Sequence, residues 1–232
     1  MLEALRTQLQ RLCPETCPRC GTESVLGFCA NCRADFRRIK SPCRRCGMPM
    51  PLSRCPLAGR HWLIDAVRSP FIYDRPLAIY LRAFKYRRQR QLGRALGQLL
   101  GAEINSSEIE LDVLVSMPLH PRRLRSRGYN QADEIAGSIA GLLGRPLLVA
   151  GIRRSVATRP QTELDRKARL NGPAGSFAVS RDLSGTRVAI VDDVITTGAT
   201  VNALAKALKS AGALRVEAWS VARSVGGVTD AG

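Results

Sequence analysis

Four apolar residues run unbroken from Val188 to Val191 after a Ser184-Gly185 turn signal, and three of them are β-branched. That is the pattern of a strand buried on both faces. Asp192 and Asp193 fall where such a strand ends, and a loop of Thr196, Thr197, Gly198 and Thr200 leads into a predicted helix from Ala199 to Leu208. This helix has an apolar stripe of Val201, Leu204, Ala205 and Leu208; Gly212 closes it, and Val216 to Val221 reads as a further strand. Upstream, Asp112 to Val115 reads as another buried strand. Ala132 to Leu143 reads as a helix, with Asn130 as N-cap and Glu134 placed early, where the helix dipole favours an acid. Ile64 to Tyr73 alternates as a strand, Pro76 suits the first turn of a helix carrying Ala78, Leu81 and Phe84, and residues 91–104 continue as a Leu- and Ala-rich helix. Leu2, Leu5, Leu9 and Leu12 recur at helical steps and predict a short amphipathic helix over residues 2–12. Residues 152–176 show little periodicity and predict short strands with a mobile arm, and the last residues predict a frayed tail. Strands alternating with helices in this order imply an α/β fold with a mostly parallel sheet.

Composition adds a statement about partners. Across 232 residues, 36 Lys and Arg face 19 acids, a formal charge of +17, far above what solubility requires. Nucleic acid and phosphorylated metabolites fit that charge, as does a merely basic solvated surface; a membrane surface fits less well, because no long basic amphipathic helix is evident. No apolar run reaches the roughly 18 residues of a spanning helix, and the N-terminus lacks the order of a secretory signal, so a cytoplasmic protein without membrane insertion is expected.

Seven of the eight cysteines crowd between Cys17 and Cys55 in regular pairs. Cys17, Cys20, Cys29 and Cys32 form a C-x2-C-x8-C-x2-C array, matching a small zinc ribbon whose two tight turns supply four thiolates to one tetrahedral ion. The array begins again after 26 residues: Cys43, Cys46 and Gly47 repeat Cys17, Cys20 and Gly21, and Cys55 repeats Cys29, but Ala58 stands at the fourth position. A second zinc would need His61 or Cys13, or ligands exchanged between the two arrays. So few apolar residues separate the cysteines that this segment needs metal to fold. A module over residues 1–60, a domain over 61–225 and a tail over 226–232 follow from the composition.

The stretch from Val188 to Thr200 also carries chemistry. Backbone amides at a helix start are unpaired and favour an anion, and Gly198 lets the backbone come close to it. Asp192 and Asp193 would repel a phosphate, so they suit ribose hydroxyls, with magnesium beside them. The predicted strand to Val115 leads into Ser116-Met117-Pro118-Leu119-His120-Pro121 and then Arg122, Arg123, Arg125 and Arg127, a basic loop placed to face the same crevice. Lys85 to Arg90 form a basic cluster that either tracks a nucleic-acid backbone, with Phe84 or Tyr86 stacking on a base, or is a solvated helix end. Arg37, Arg38, Lys40, Arg44 and Arg45 form a second basic group.

The four apolar residues, two acids and Thr-Thr-Gly-Ala-Thr loop resemble the phosphoribosyl pyrophosphate (PRPP) motif of type I phosphoribosyltransferases. Ser116 to His120, then Arg125-Ser-Arg-Gly-Tyr-Asn-Gln-Ala132, Thr158 to Gln161 and Gly175 to Phe177 narrow the resemblance to the ComF competence family, whose members join a zinc ribbon to a phosphoribosyltransferase domain. Ala58, Ser176 and the place of Asn171 depart from the family's pattern. The resemblance implies the type I phosphoribosyltransferase fold, a Rossmann-like sheet with helices on both faces and a hood, and a role in DNA uptake and natural transformation. PRPP would be held by Thr196, Thr197, Gly198, Ala199 and Thr200 at the 5-phosphate and by Asp192 and Asp193 at the ribose. Ser116, Met117, Pro118 and Leu119, with Arg125 or Arg127, would receive the pyrophosphate. The resemblance further implies Mg with PRPP, a hood offering Arg159, Gln161, Arg166 and Arg169 to the second substrate, and single-stranded DNA and other DNA-uptake proteins as partners. No catalytic residue is assigned. Thr196 stands where purine-salvage relatives often carry Asp, so the acceptor is open, and three roles follow: transferase, PRPP-responsive regulator, or DNA-binding competence factor.

Overall fold

The computed structural model describes residues 16–50, 55, 57, 61–104, 109–154 and 177–225. The helix expected over 2–12, Cys13, Ala58, the hood candidates Arg159, Gln161, Arg166 and Arg169, and the tail lie outside them. In chain order the elements are α1 (Ala30–Ala34), β1 (Ala66–Arg68), β2 (Phe71–Ile72), α2 (Leu77–Tyr86), α3 (Leu92–Glu103), β3 (Val113–Ser116), α4 (Pro121–Arg127), α5 (Gln131–Leu143), β4 (Leu147–Leu148), β5 (Ile152–Arg154), β6 (Phe177–Val179), β7 (Arg187–Ile195), α6 (Ala199–Ser210) and β8 (Arg215–Arg223). The main sheet is parallel in the order β1-β8-β7-β3-β4, with β2 also on β8, and β5 and β6 make a separate antiparallel hairpin.

Period-two alternation along β7 divides the core. Ala189 and Val191 face a layer containing Leu81, Phe84, Leu96 and Ile135 of α2, α3 and α5. Val188 and Ile190 face Val201, Leu204 and Leu208 of α6, together with Ile152 of the hairpin. Helices α3 and α5 approach closely because Gly93 and Gly97 present no side chain: a Cβ on either would stand 2.5 Å from Glu134 or Ser138.

The elements depart from the predicted ones where tertiary pairing or proline intervenes. The alternating stretch from Ile64 to Tyr73 is two short strands, interrupted at Ser69 and Pro70; proline has no N–H for a ladder. The strand predicted to stop at Val191 continues to Ile195, because β8 pairs with it through Asp192↔Ser220, Val194↔Ala222 and Ile195↔Arg223. The arginine run expected as a loop is the helix α4, started by Pro121 and the His120 side chain, which accepts from the Arg122 amide, and ended by Gly128.

The cysteine module is docked on the domain. Phe28, Phe36, Phe71 and Tyr80 pack edge to face, with Phe28 5.1 Å from both Phe36 and Tyr80, and Phe36 5.9 Å from Phe71. Arg37 pairs with Asp74 at 2.7 Å and Arg38 with Glu103, and the Val67 amide donates to the Arg44 carbonyl at 2.8 Å. Among the described residues, no helix is long and apolar enough to cross a membrane.

Candidate functional site

The crevice lies at the carboxyl end of β7, between its neighbour β3 and the start of α6. Gly198 caps α6 with φ +80°, a left-handed conformation that side chains strain, so the turn from strand to helix depends on glycine here. Thr196, Thr197, Ala199 and Thr200 are exposed around it. This is a helix start with hydroxyl groups and outward-facing amides, suited to a phosphate, although the Ala199 amide already donates to the Thr197 hydroxyl at 3.3 Å. Trp62 covers the opposite side of the turn: a Cβ on Gly198 would meet its ring at 2.4 Å. The Asn202 side chain fastens that segment by accepting from the Leu63 amide at 2.7 Å and donating to the His61 carbonyl at 3.1 Å.

Because the strand continues through the acids, Asp192 and Asp193 point to opposite faces. Asp193 is 5% exposed and turned toward α2, where its carboxylate pairs with Lys85 Nζ at 2.8 Å. Asp192 is on the α6 and hairpin face and accepts a hydrogen bond from the Asp193 amide at 2.8 Å. Burial, reinforced by the neighbouring Asp193 carboxylate, pushes its carboxyl up to about 7, against the lowering effect of that amide and of Lys85. Arg154 of the hairpin shares this field: burial and Arg123 lower its proton affinity while Asp192 opposes them.

Ser116 is beside Val191 in the β3–β7 register. Its hydroxyl donates to Asp133, and the Asn130 side chain donates to both Asp133, at 2.8 Å, and the Met117 carbonyl, at 3.1 Å. Burial raises the Asp133 carboxyl, and these hydrogen bonds oppose the rise. Ser116, Pro118, Leu119, Asn130 and Asp133 line a cavity of about 260 Å³ closed on the hairpin side by Arg153 and Arg154. Met117 is buried, and its amide donates to the Val191 carbonyl at 2.9 Å. The two candidate arginines are both on α4: Arg125 is exposed, whereas Arg127 donates to the Gln131 side chain at 2.5 Å and lies 5.4 Å over the Tyr86 ring.

Of the predicted site residues, Ser116, Pro118 and Leu119 share the cavity, and Asp192 and the Thr196–Thr200 turn follow Val191, the β7 partner of Ser116. Asp193 and Arg127 are directed elsewhere. Lys85, Trp62, Asp133, Arg153 and Arg154 are additions. Strand parity could have separated the two acids, but no sequence pattern pairs Lys85 with a residue 108 positions away. The stacking candidate Phe84 is fully buried, whereas Tyr86 is 70% exposed.

The sulfurs of Cys17, Cys20, Cys29 and Cys32 all lie within 4.8 Å of one another, and those of Cys43, Cys46 and Cys55 form a second such group. Tetrahedral zinc with bonds of about 2.3 Å separates its thiolates by about 3.8 Å, and the Cys20 and Cys29 sulfurs are 3.6 Å apart. The residues therefore fit a metal such as zinc. Among the described residues, ligands are not exchanged between the arrays. His61 is not in the second group; its carbonyl is held at α6, so the fourth ligand is not found among the described residues. The 26-residue repeat recurs in the backbone: Gly21 and Gly47 donate to the Cys17 and Cys43 carbonyls at 2.9 and 2.7 Å. Burial pushes the Cys32 and Cys46 thiols up to about 12, whereas hydrogen bonding with Thr22 brings Cys20 down to about 6.

A parallel sheet with helices on both faces and a glycine-headed turn after its central strand agrees with a phosphoribosyltransferase domain, and the model of the phosphoribosyl transferase domain family matches residues 132–227. The chain belongs to the ComF family, in which such a domain follows a cysteine module. It is 32% identical to the DNA utilization protein YhgH of Salmonella typhimurium over 209 residues, covering 86% of this chain and 91% of that protein, so the likeness extends beyond the phosphoribosyltransferase domain. It is also 31% identical to competence protein F of Haemophilus influenzae, covering 85% of this chain and 91% of that one. The solved glutamine PRPP amidotransferase from B. subtilis is 24% identical over 56% of this chain and 26% of its own, with a TM-score of 0.42, and adds nothing to the family assignment.

Proposed function

We propose that the crevice binds PRPP and that the protein transfers its phosphoribosyl group to an acceptor with release of pyrophosphate, in the service of DNA uptake. The observation that carries this reading is the Thr196–Thr200 turn heading α6, with Asp192 just before it on the strand beside Ser116. The turn's amides and hydroxyls hold the 5-phosphate, and Asp192 takes the ribose hydroxyls. Ser116, Pro118 and Leu119 line the space for pyrophosphate. Arg125 on α4, with Arg153 and Arg154 on the hairpin, supplies guanidinium groups for the charge that develops as the bond at ribose C1 breaks. Magnesium, when bound, would neutralise pyrophosphate and ribose oxygens through a largely substrate and water shell. The Asp192 carboxyl, with its proton affinity raised by burial, fits a group completed by a cation.

The names of the relatives, DNA utilization protein and competence protein, support the setting in imported DNA, and the charge of +17 agrees with a polyanionic partner. The test is pyrophosphate release from PRPP and Mg across a panel of nucleobase, nucleotide and single-stranded DNA acceptors. Acceptor-dependent release is the expected result. PRPP bound yet intact with every acceptor would make the protein a PRPP-responsive binder instead.

A further inference from the structure

Arg223, the last residue of β8, is 4% exposed. A buried guanidinium is costly unless its donors are satisfied, and no ion pair reaches this one among the described residues. Its partners are carbonyls from two separate parts of the protein. Nε donates to the Cys46 carbonyl at 2.9 Å, in the second cysteine knuckle. Nη1 donates to the Ile195 carbonyl at 2.9 Å, to that of Thr196, and to that of Ser224 at 3.1 Å. One rigid, planar group thus spans the knuckle and the phosphate turn.

The consequence for the turn follows from the trans peptide, in which C=O and the next N–H point in opposite directions. With the Ile195 and Thr196 carbonyls drawn to Arg223, the Thr196 and Thr197 amides of the same peptide planes face away from it. The knuckle can come this close only because Gly47, at φ +69°, has no side chain: a Cβ there would stand 2.7 Å from Val67 Cγ1 and 3.6 Å from Arg223 Cδ. The knuckle has few internal bonds of its own, chiefly Gly47 N–H to the Cys43 carbonyl and Cys43 N–H to the Met48 carbonyl. An ion held by Cys43, Cys46 and Cys55 therefore fixes where the Cys46 carbonyl lies.

We propose that Arg223 is a positioning residue that sets the phosphate turn from the second cysteine knuckle, so that order in the turn, and with it PRPP affinity, depends on metal at Cys43, Cys46 and Cys55. The link to affinity rests on the PRPP reading above; the link to order does not. Arg223 holds the carbonyl side of the turn, while Trp62 and the His61 to Leu63 segment hold its other side.

The test is peptide-resolved amide hydrogen exchange on the full-length protein, comparing wild type, Arg223→Lys, Arg223→Met and Cys55→Ser, which removes a knuckle ligand without touching Arg223. Exchange in residues 194–202 should rise about tenfold in Cys55→Ser and Arg223→Met and less in Arg223→Lys, with α3 and α5 unchanged. A uniform rise across the domain, or no rise in 194–202 in Cys55→Ser, would overturn the proposal. Should Arg223→Met fail to fold, Cys55→Ser and Arg223→Lys decide alone. PRPP titration of the same proteins should show affinity falling about tenfold in Cys55→Ser, the worth of one or two hydrogen bonds. Wild type that binds no PRPP while the exchange pattern holds would end the PRPP reading and leave the coupling standing.

Discussion

Asp192 and Asp193 have the same chemistry and opposite surroundings, and the difference comes from strand parity. Asp193 has a cation; Asp192 has a neighbouring carboxylate and burial, which raise its carboxyl to about 7. A raised acid pKa means that the folded state holds a proton which the unfolded chain gives up near its ordinary value. Stability from this group is thus full below about pH 4 and lost as pH rises to about 7. Asp192→Asn, neutral throughout, should therefore unfold at a higher temperature than wild type above pH 7, with the advantage shrinking to nothing near pH 4. A melting difference that does not change with pH would contradict this assignment. The acidic pair at the end of the apolar run was legible in the sequence. Its division was not, because the apolar run stops at Val191 and leaves Asp192 and Asp193 beyond the predicted strand. Whether a strand goes on past its apolar run is decided by its partner, here β8, and no local pattern reports that.

At the scale of elements, the contact between α3 and α5 rests on glycine. Gly97→Ala adds a Cβ 2.5 Å from Ser138 Cβ and 2.7 Å from the Ile135 carbonyl. Helix propensity favours alanine by about 1 kcal/mol, whereas overpacking a close helix contact costs about 1–3 kcal/mol, so a net loss of about 1 kcal/mol is expected. Gly137, exposed on α5 with nothing within 4 Å of a Cβ, isolates the propensity effect. Gly137→Ala should be stabilising by about 0.5–1 kcal/mol. Urea midpoints for the two variants should move in opposite directions, and a shift of the same sign in both would refute this view of the packing. The helices themselves were well marked: Asn130 caps α5 as its sequence implied, accepting from the Ala132 amide. The arginine run was not. Pro121 to Arg127 has no apolar period, and α4 buries none of its residues; its ends are set by His120 and Gly128.

For the whole molecule, the cysteine module and the phosphoribosyltransferase domain share one aromatic core and one buried arginine. Composition reports metal and charge. It does not report that Phe36 inserts between Phe28 and Phe71, or that Arg223 joins Cys46 to Thr196. The PRPP crevice is the central claim for the protein as a whole, and calorimetric titration of PRPP with Mg into wild type and Asp192→Ala tests it most directly. Wild type should bind, with affinity reduced at least about tenfold in Asp192→Ala, consistent with loss of charge-assisted hydrogen bonds to the ribose. Equal affinity in the two proteins, or no binding to wild type, would contradict it.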